Sequence, residues 1–454
     1  MFELSRDLKR LFAVDGPRDG LTGGDVSLLE MLDLDLLRAE AKAGDIAAGR
    51  ISARDPSQRR LDAARVWREL ARRTGDPVCL RRAAEAADKA AEGFKREDRA
   101  RAWAAARYEQ AETALLAAEL FGDEGLNAAA EIALKEVRRT APSSAAAALA
   151  WAQLTRLTAR RAMASADIEG VRAAVAAFDG PILALEGHLR TRSVGKAEVA
   201  RILCERAEIL IGAAARLKDQ GLYDAAIDGL DKAAIRLDPT HEPLSWARVR
   251  ELLGAAKAAA GELHGAIEDI ASGVEIMADL LEFSSPDHSP LDWARSQHAL
   301  ALALQGLGEA TEADRAFEHA LGAYDRALWI TKGQTALSLR PVLSHNRAGC
   351  LARRAELAAE PGMLDEAIDG LKGELSAISA SKDPVSWAVA QVNLARLYEA
   401  RSALPGSRTG ERAAAALALG AALEVFGEHG LRSLSDQAAR GLERLTAMPR
   451  AAVG

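Results

Sequence analysis

The sequence predicts an all-α fold, a superhelical solenoid of about eight antiparallel helical hairpins. The composition favours helices almost throughout, because the chain is rich in Ala, has only 14 Pro and is 28% charged. Hydrophobic residues make up 49% but aromatic residues only 4%, so the core must be built from Ala and Leu. A Pro followed by Trp and Ala also recurs, in Glu242–Ala247, Ser289–Ala294 and Asp383–Ala388. No run of alternating β-branched residues predicts a sheet.

Residues 1–54 differ from the rest and are predicted to form an N-terminal capping or docking segment. A short helix is expected over Phe2–Phe12, and Asp25 can cap one further helix that runs through Leu37. The leucines of this second helix cover more of its surface than one narrow apolar stripe, so the helix should be buried on more than one side. The segment then either covers the open end of a repeat array or serves as a docking or dimer-forming element.

Residues 55–430 are predicted to form the array of helical pairs. The first pair begins after Asp55, and Leu61, Trp67 and Leu70 recur in it at helical spacing. Thr74–Pro77 should end this helix and start its partner. Residues 431–454 should form a final capping helix, Leu431–Leu445, and a frayed tail, Pro449–Gly454.

A period of about 45 to 49 residues runs through the array. Its anchor residues are Trp103, Trp151, Val199, Trp246, Trp293, Val342 and Trp387. Eight residues beyond each anchor stands a small residue, namely Ala111, Ala159, Ala207, Gly254, Ala301, Cys350 and Ala395. Small side chains are needed where two helix axes approach closely, so these positions should be buried between helices. The tryptophans are interpreted as core residues rather than a ligand cage.

The second helix of each pair has its own signature, a Gly followed by apolar residues and Ala. It appears in Gly221–Ile227, Gly261–Ile267 and Gly362–Ile368, and Gly308 begins a similar outline. We expect each of these glycines to end the first helix of its pair in the left-handed conformation.

With these residues the chain resembles the tetratricopeptide repeat family, in a variant that opens with Pro-x-x-Trp-Ala and continues with an element such as Asn393–Ala395. The likeness covers roughly residues 60–430, although the units exceed the usual repeat of about 34 residues. It implies stacked helical hairpins whose first helices line a concave groove.

Composition and motifs argue against several classes of function. The net charge of -7 does not suit a nucleic-acid binder, and no apolar run approaches the roughly 20 residues of a membrane span. The distant cysteines Cys79, Cys204 and Cys350 suit a reducing compartment, and the N-terminus does not read as a signal peptide, so a cytoplasmic protein is expected. Without a P-loop, a zinc motif or a nucleophile elbow, we predict no catalytic residue, metal site or cofactor.

The groove of the predicted array should carry a row of arginines. Two residues after the anchors come Arg201, Arg248 and Arg295, which we call the arginine row. The next groove-facing positions and their neighbours add Arg156, Arg160, His298, Arg347, Asn393 and Arg396. Guanidinium groups bind carboxylates through two parallel bonds, so such a row favours an acidic segment. Alternatively, the arginines only bridge to neighbouring carboxylates, each pair contributing under about 1 kcal/mol.

The function expected from these patterns is protein–protein interaction. The chain would be a scaffold or adaptor that holds a segment of another protein in its groove, with no chemical step. The main alternative is a regulatory sensor that changes shape on binding a peptide or small ligand, and a third is an enzyme with an unfamiliar site. No nucleic acid or membrane partner is expected, and a homo-oligomer is compatible with the sequence.

Overall fold

The structure is a computed structural model that describes residues 27–50, 54–123, 125–165, 167–332, 339–377, 380–381, 383–407 and 410–447. Within these ranges every regular element is a helix and there is no strand, which confirms the all-α prediction. The predicted helix Phe2–Phe12 and the predicted tail Pro449–Gly454 lie outside the described residues.

The helices follow one another along the chain as neighbouring pairs, and the described residues form an all-α solenoid. The first ten are α1 (Ser27–Glu30), α2 (Leu34–Gly49), α3 (Pro56–Thr74), α4 (Pro77–Arg96), α5 (Ala100–Phe121), α6 (Gly125–Thr140), α7 (Ala145–Ala164), α8 (Ile168–Ala177), α9 (Asp179–Arg190) and α10 (Lys196–Leu217). The others are α11 (Gln220–Ala234), α12 (Pro243–His264), α13 (Ile267–Phe283), α14 (Pro290–Thr311), α15 (Asp314–Ile330), α16 (Leu339–Ala358), α17 (Pro361–Ala377), α18 (Pro384–Ala403), α19 (Glu411–Glu428) and α20 (Arg432–Ala447).

Contacts along the chain divide it into two compact units. Unit 1 comprises Met1–Ala299 and Ile330–Ser338, and unit 2 comprises Leu300–Trp329 and Leu339–Gly454. Helices α1 to α13 belong to unit 1, and α15 to α20 belong to unit 2 apart from the last residue of α15. The division passes through α14, whose first half lies in unit 1.

An Asp followed by Pro starts two of the first helices of the pairs, α3 and α18. Asp55 precedes α3 and accepts a 3.0 Å hydrogen bond from the backbone N–H of Gln58, and Asp383 accepts one of 3.2 Å from the N–H of Ser386 at the start of α18. Proline suits the first helical position, because a backbone N–H at this position would have no acceptor within the helix. Gly75, with φ of 71°, then ends α3 at the predicted boundary.

The signature glycines do not end the first helices, contrary to our expectation. Gly261 and Gly308 lie inside α12 and α14, and the left-handed residues that follow these helices are Gly265 and Glu312. The helix interior needs glycine here because a Cβ on Gly261 would lie 2.8 Å from the backbone nitrogen of Ile270. At Gly261 and Gly308 the glycine therefore marks a close approach of two helices and not a turn, whereas a Cβ on Gly362, near the start of α17, would meet nothing within 4 Å.

The predicted register of small residues is confirmed. All seven positions, from Ala111 to Ala395, are buried. At Gly254 the packing is tightest, since an added Cβ would lie 2.8 Å from the carbonyl oxygen of Gly273 on α13. The small residues that recur with the period of the sequence thus mark the positions at which the helices of each pair are in contact.

The N-terminal leucines form two helices and not the one helix predicted from Asp25. Asp33 interrupts the helical run, because its carboxylate accepts a 2.8 Å hydrogen bond from the N–H of Leu36 and so caps α2. Leu32 and Leu37 are buried, as is Leu29 on α1. These leucines share one buried cluster with residues of α3 and α4, and the capping or docking role of the segment stays a prediction.

The C-terminal end of the described chain is helix α20, and its capping role stays a prediction. Helix α20 packs against α18 and α19 and buries Ala438 and Leu445. Among the described residues, no helix is long and apolar enough to cross a membrane.

Candidate functional site

A polar cavity of about 400 Å³ lies within unit 1, and we call it the central cavity. Its wall is built from the first helices of successive pairs, α3, α5, α7, α10 and α12, and from the first turns of α14. Leu29 and Glu30 of α1 also line it. The prediction that the first helices face a common groove therefore holds in unit 1.

Polar contacts between distant parts of the chain close the central cavity. Arg72 of α3 pairs with Asp292 of α14 at 2.6 Å, across 220 residues of sequence. Arg295 of α14 pairs with Glu119 of α5 at 3.0 Å. The start of α14 is therefore tied to both α3 and α5, and the first helices surround the cavity.

The charges that line the central cavity almost balance. Eight guanidinium groups belong to Arg65, Arg68, Arg72, Arg101, Arg156, Arg201, Arg248 and Arg295. Ten carboxyl groups belong to Glu30, Glu69, Glu109, Glu112, Glu119, Glu198, Glu205, Glu208, Glu251 and Asp292. Burial raises the pKa of Glu30 to about 7, which lessens the negative excess near neutral pH. Burial also raises the pKa values of Glu198 and Glu251. The cavity is polar but carries no strong net charge.

Arg201, the first residue of the arginine row, is held by three neighbours. Its guanidinium lies 2.7 Å from a carboxylate oxygen of Glu205 and 3.1 Å from one of Glu112. It also donates a 2.8 Å hydrogen bond to the hydroxyl of Tyr108. Burial alone would lower the pKa of Arg201, but the nearby carboxylates raise it well above its ordinary value. Arg201 is thus a paired cation within the cavity wall.

The other two residues of the arginine row are paired in the same way. Arg248 bridges Glu208 of α10 and Glu251 of its own helix. Arg295 bridges Glu119 and Asp292, the latter at 3.4 Å. The structure therefore favours the interpretation in which these three arginines bridge to neighbouring carboxylates.

Arg156 and Arg160, one helical turn apart on α7, are less well neutralised. The closest carboxylate oxygens to Arg156 belong to Glu119 and Glu205 and lie 3.7 Å away, and the Gln153 side chain lies 3.5 Å away. Arg160 is exposed and forms no salt bridge within the described part of the chain. Although the residue as a whole is exposed, partial desolvation of its guanidinium, and then the charge of Arg156, lower the pKa of Arg160. Arg156 lines the cavity, whereas Arg160 lies one turn further along α7 and is not among the residues that line it.

Two buried polar atoms of the central cavity have no hydrogen-bond partner among the described residues. They are Oε1 of Glu112 and Nε of Arg156, whose residues are only 7% and 8% exposed. A buried donor or acceptor without a partner is costly, and such atoms are rare in folded proteins. One acceptor and one donor in the cavity wall are therefore open to a bound molecule.

Like Arg160, the remaining predicted groove residues are not among the residues that line this cavity. His298 is half-buried on α14, one turn after Arg295, and burial lowers its pKa to about 4. The other three belong to unit 2, where Arg347 pairs with Asp325 at 2.6 Å and Arg396 lies 3.6 Å from Glu356.

Asn393 is the third groove prediction in unit 2, and it is buried. Its amide nitrogen donates a 2.7 Å hydrogen bond to the hydroxyl of Ser344, and the imidazole of His345 lies beside its side chain. Near it a pocket of about 70 Å³ is lined by residues that include His345 and Arg396. Among the described residues, no group of three or more His, Cys, Asp or Glu side chains could hold a metal ion.

Sequence reasoning missed the carboxylates that share the cavity wall. Glu205 follows Arg201 by four residues, Glu251 follows Arg248 by three, and Asp292 precedes Arg295 by three. Residues at these spacings face one another on a helix, so the partners were present as a pattern in the sequence. Glu112 and Tyr108 carry no such signal, because their roles depend on how α5 meets α10.

The fold and the cavity define a class of protein, the all-α helical-repeat proteins. No model of a known protein family matches the chain, and no curated protein matches it. Among solved structures, the chain is similar to a circular tandem repeat protein with novel repeat topology and enhanced subunit contact surfaces. The two are 17% identical with a TM-score of 0.28, over 90% of this chain and 96% of that chain. The likeness to tetratricopeptide repeats therefore stays a prediction.

Proposed function

We propose that this protein is an interaction scaffold or adaptor that holds a segment of a partner protein in the central cavity of unit 1. The proposal keeps the tetratricopeptide-like interpretation of the repeats and assigns the chain no chemical step. The observation that carries it is the cavity itself, to which the first helices of successive pairs all contribute side chains. Preformed concave surfaces of this kind suit extended or helical segments.

The chemistry of the wall supports a peptide as the occupant. A peptide offers both donors and acceptors along its backbone, and the wall holds an open acceptor on Glu112 and an open donor on Arg156. The nearly balanced charges argue against a partner that is purely acidic. The buried free cysteines Cys79, Cys204 and Cys350 fit a protein of the reducing cytoplasm, where we place this function.

Selection of peptides against the full chain tests the proposal. A random dodecapeptide library displayed on phage supplies the probes, and the enriched peptides are synthesised and titrated. Ala105 lines the cavity, so Ala105→Trp should fill part of it and weaken binding by at least about tenfold. Ala128→Trp on the exposed face of α6 is the control and should leave the affinity unchanged. Peptides that bind both folded variants equally well would refute the proposal.

A regulatory sensor is a second candidate, favoured by the way the cavity is closed. The contacts that join α3 to α14 and α1 to α12 are a few polar bonds, such as Arg72–Asp292 and Glu30–Ser245. Bonds of this kind can be exchanged for bonds to a ligand at small net cost. Small-angle scattering with and without a selected peptide separates the candidates, since a sensor should change its radius of gyration and a rigid scaffold should not.

A further inference from the structure

The two open polar atoms of the central cavity lie on different helices and have opposite chemistry. Oε1 of Glu112 on α5 can only accept a hydrogen bond when the carboxylate is ionised, and Nε of Arg156 on α7 can only donate one. Both side chains line the cavity and are more than nine-tenths buried. A molecule that forms hydrogen bonds with both atoms must offer a donor to Oε1 of Glu112 and an acceptor to Nε of Arg156.

The positive place is the pair Arg156 and Arg160. The carboxylates nearest to Arg156, on Glu119 and Glu205, stay 3.7 Å away, which is longer than a direct charge-assisted hydrogen bond. The charge of Arg156 also acts on Arg160 from one helical turn away. An anionic group between the two guanidinium groups would relieve this repulsion and would accept a hydrogen bond from Nε of Arg156.

The negative place is Glu112. One of its carboxylate oxygens lies 3.1 Å from the guanidinium of Arg201, the hydroxyl of Tyr108 lies beside the carboxylate, and Oε1 has no hydrogen-bond partner of normal geometry in the described chain. The positive and negative places are separate, because Arg201 and Glu205 stand between them as a bonded pair at 2.7 Å. A basic group at Glu112 and an acidic group at Arg156 can therefore be bound together by one chain.

From this geometry we infer that the partner segment is of mixed charge and is held at two points. An acidic group binds Arg156 and Arg160, and an ammonium or guanidinium group binds Glu112. The inference rests on the proposed function, because it names the chemistry of the segment that the central cavity holds. It also fits the balance of charge in the wall, which gives a segment carrying one sign only no net electrostatic attraction.

Double-mutant cycles test both contacts with peptides selected from the phage library. Each peptide is compared with versions in which its acidic residue or its basic residue is replaced by Gln. Arg160→Gln should weaken the parent peptide by about tenfold, the size expected for a hydrogen bond to a charged group, but should not further weaken the peptide that lacks its acidic residue. Glu112→Gln should behave likewise towards the basic residue. Arg161→Gln removes the neighbouring cation, which pairs with Glu131, and should change nothing.

The anionic group could be a carboxylate or a phosphate, and a further arm of the experiment separates them. Replacing the acidic residue of the peptide by phosphoserine should raise the affinity if the site prefers a phosphate and lower it if the site prefers a carboxylate. In both cases the change in affinity should be lost in Arg160→Gln. Selected peptides that need the cavity but lack either charge, or that bind Arg160→Gln and Glu112→Gln as well as the parent, would overturn the inference and leave the proposed function standing. Peptides insensitive to Ala105→Trp would overturn both. Melting temperatures show that each variant is folded.

Discussion

The carboxylate of Glu30 accepts a 2.8 Å hydrogen bond from the backbone N–H of Ser245, 215 residues further along the chain. It accepts a second, of 2.9 Å, from the N–H of Leu244. The first N–H groups of a helix have no partner within the helix, and here α1 supplies the carboxylate that caps α12. His288 adds a 2.8 Å contact between its Nε2 and the carbonyl oxygen of Glu30. Helix α1 is therefore part of the cavity wall.

Our first prediction concerns the pH dependence of this contact. Burial raises the pKa of Glu30 from 4.5 to about 7, against the opposing effect of its bonds from Ser245. Because the folded state binds the proton more tightly than the unfolded state, Glu30 adds stability below pH 4.5 and loses this contribution as the pH rises towards 7. Between pH 5 and 8 the parent should lose stability relative to Glu30→Gln, on the order of 3 kcal/mol. Urea unfolding at several pH values checks this, and parallel curves for the two proteins would contradict it.

A second prediction compares two adjacent leucines of α2. Leu37 is 0% exposed and packs in the core beneath α1 and α2, whereas Leu36 is 36% exposed. Leu37→Ala should lower the free energy of unfolding by about 2–5 kcal/mol, because it leaves a cavity in the core. Leu36→Ala is the matched control and should cost clearly less. If both variants lost the same free energy of unfolding in chemical denaturation, the N-terminal helices would not be packed as part of the core.

The third prediction concerns the small residues of the repeat. Gly254→Ala should destabilise the protein by about 1–3 kcal/mol, because the new methyl group would meet the carbonyl of Gly273 at 2.8 Å. Gly349→Ala is the control inside another helix, where nothing lies within 4 Å of the added carbon. That change should stabilise the protein by about 1 kcal/mol, through the better helix propensity of alanine. A gain in melting temperature for Gly254→Ala would show that its close contact is wrongly assigned.

The sequence predicts the helices and the faces they bury, because both follow from local spacing. The seven small residues repeat at the period at which successive helical pairs touch, so their burial could be read directly. The break between α1 and α2 at Asp33 could not be predicted from the sequence, because the leucines on both sides of Asp33 are helical. The glycines misled us for a related reason, because a glycine needed for close packing and one needed for a turn look alike in sequence.

The candidate site was predictable only in part. That Arg156, Arg201, Arg248 and Arg295 share one cavity follows from the repeat register, and the structure places all four in its wall. Their pairing depends on partners such as Glu112, which lies 89 residues before Arg201 and meets it only after the first helices surround the cavity. The closing contact between Arg72 and Asp292 spans 220 residues and has no local signal.

The last prediction uses the arginine row to separate structural from binding roles. Arg248 and Arg295 each bridge two carboxylates, so reversing both to Glu would place like charges against Glu208, Glu251 and Glu119. Removing one partner of a buried ion pair typically costs about 3–5 kcal/mol, and partial exposure of these arginines reduces the expected loss to about 2–4 kcal/mol.

Arg347→Glu is the control for the reversal, since Arg347 pairs with Asp325 at an exposed site and should cost under about 1 kcal/mol. Melting and peptide affinity are measured together on Arg248→Glu with Arg295→Glu. At a temperature where the double variant is folded, a selected peptide should keep most of its affinity, because its anchors are Arg156, Arg160 and Glu112. Unchanged melting with abolished binding would instead assign the arginine row to the partner and remove it from the structural network of the cavity.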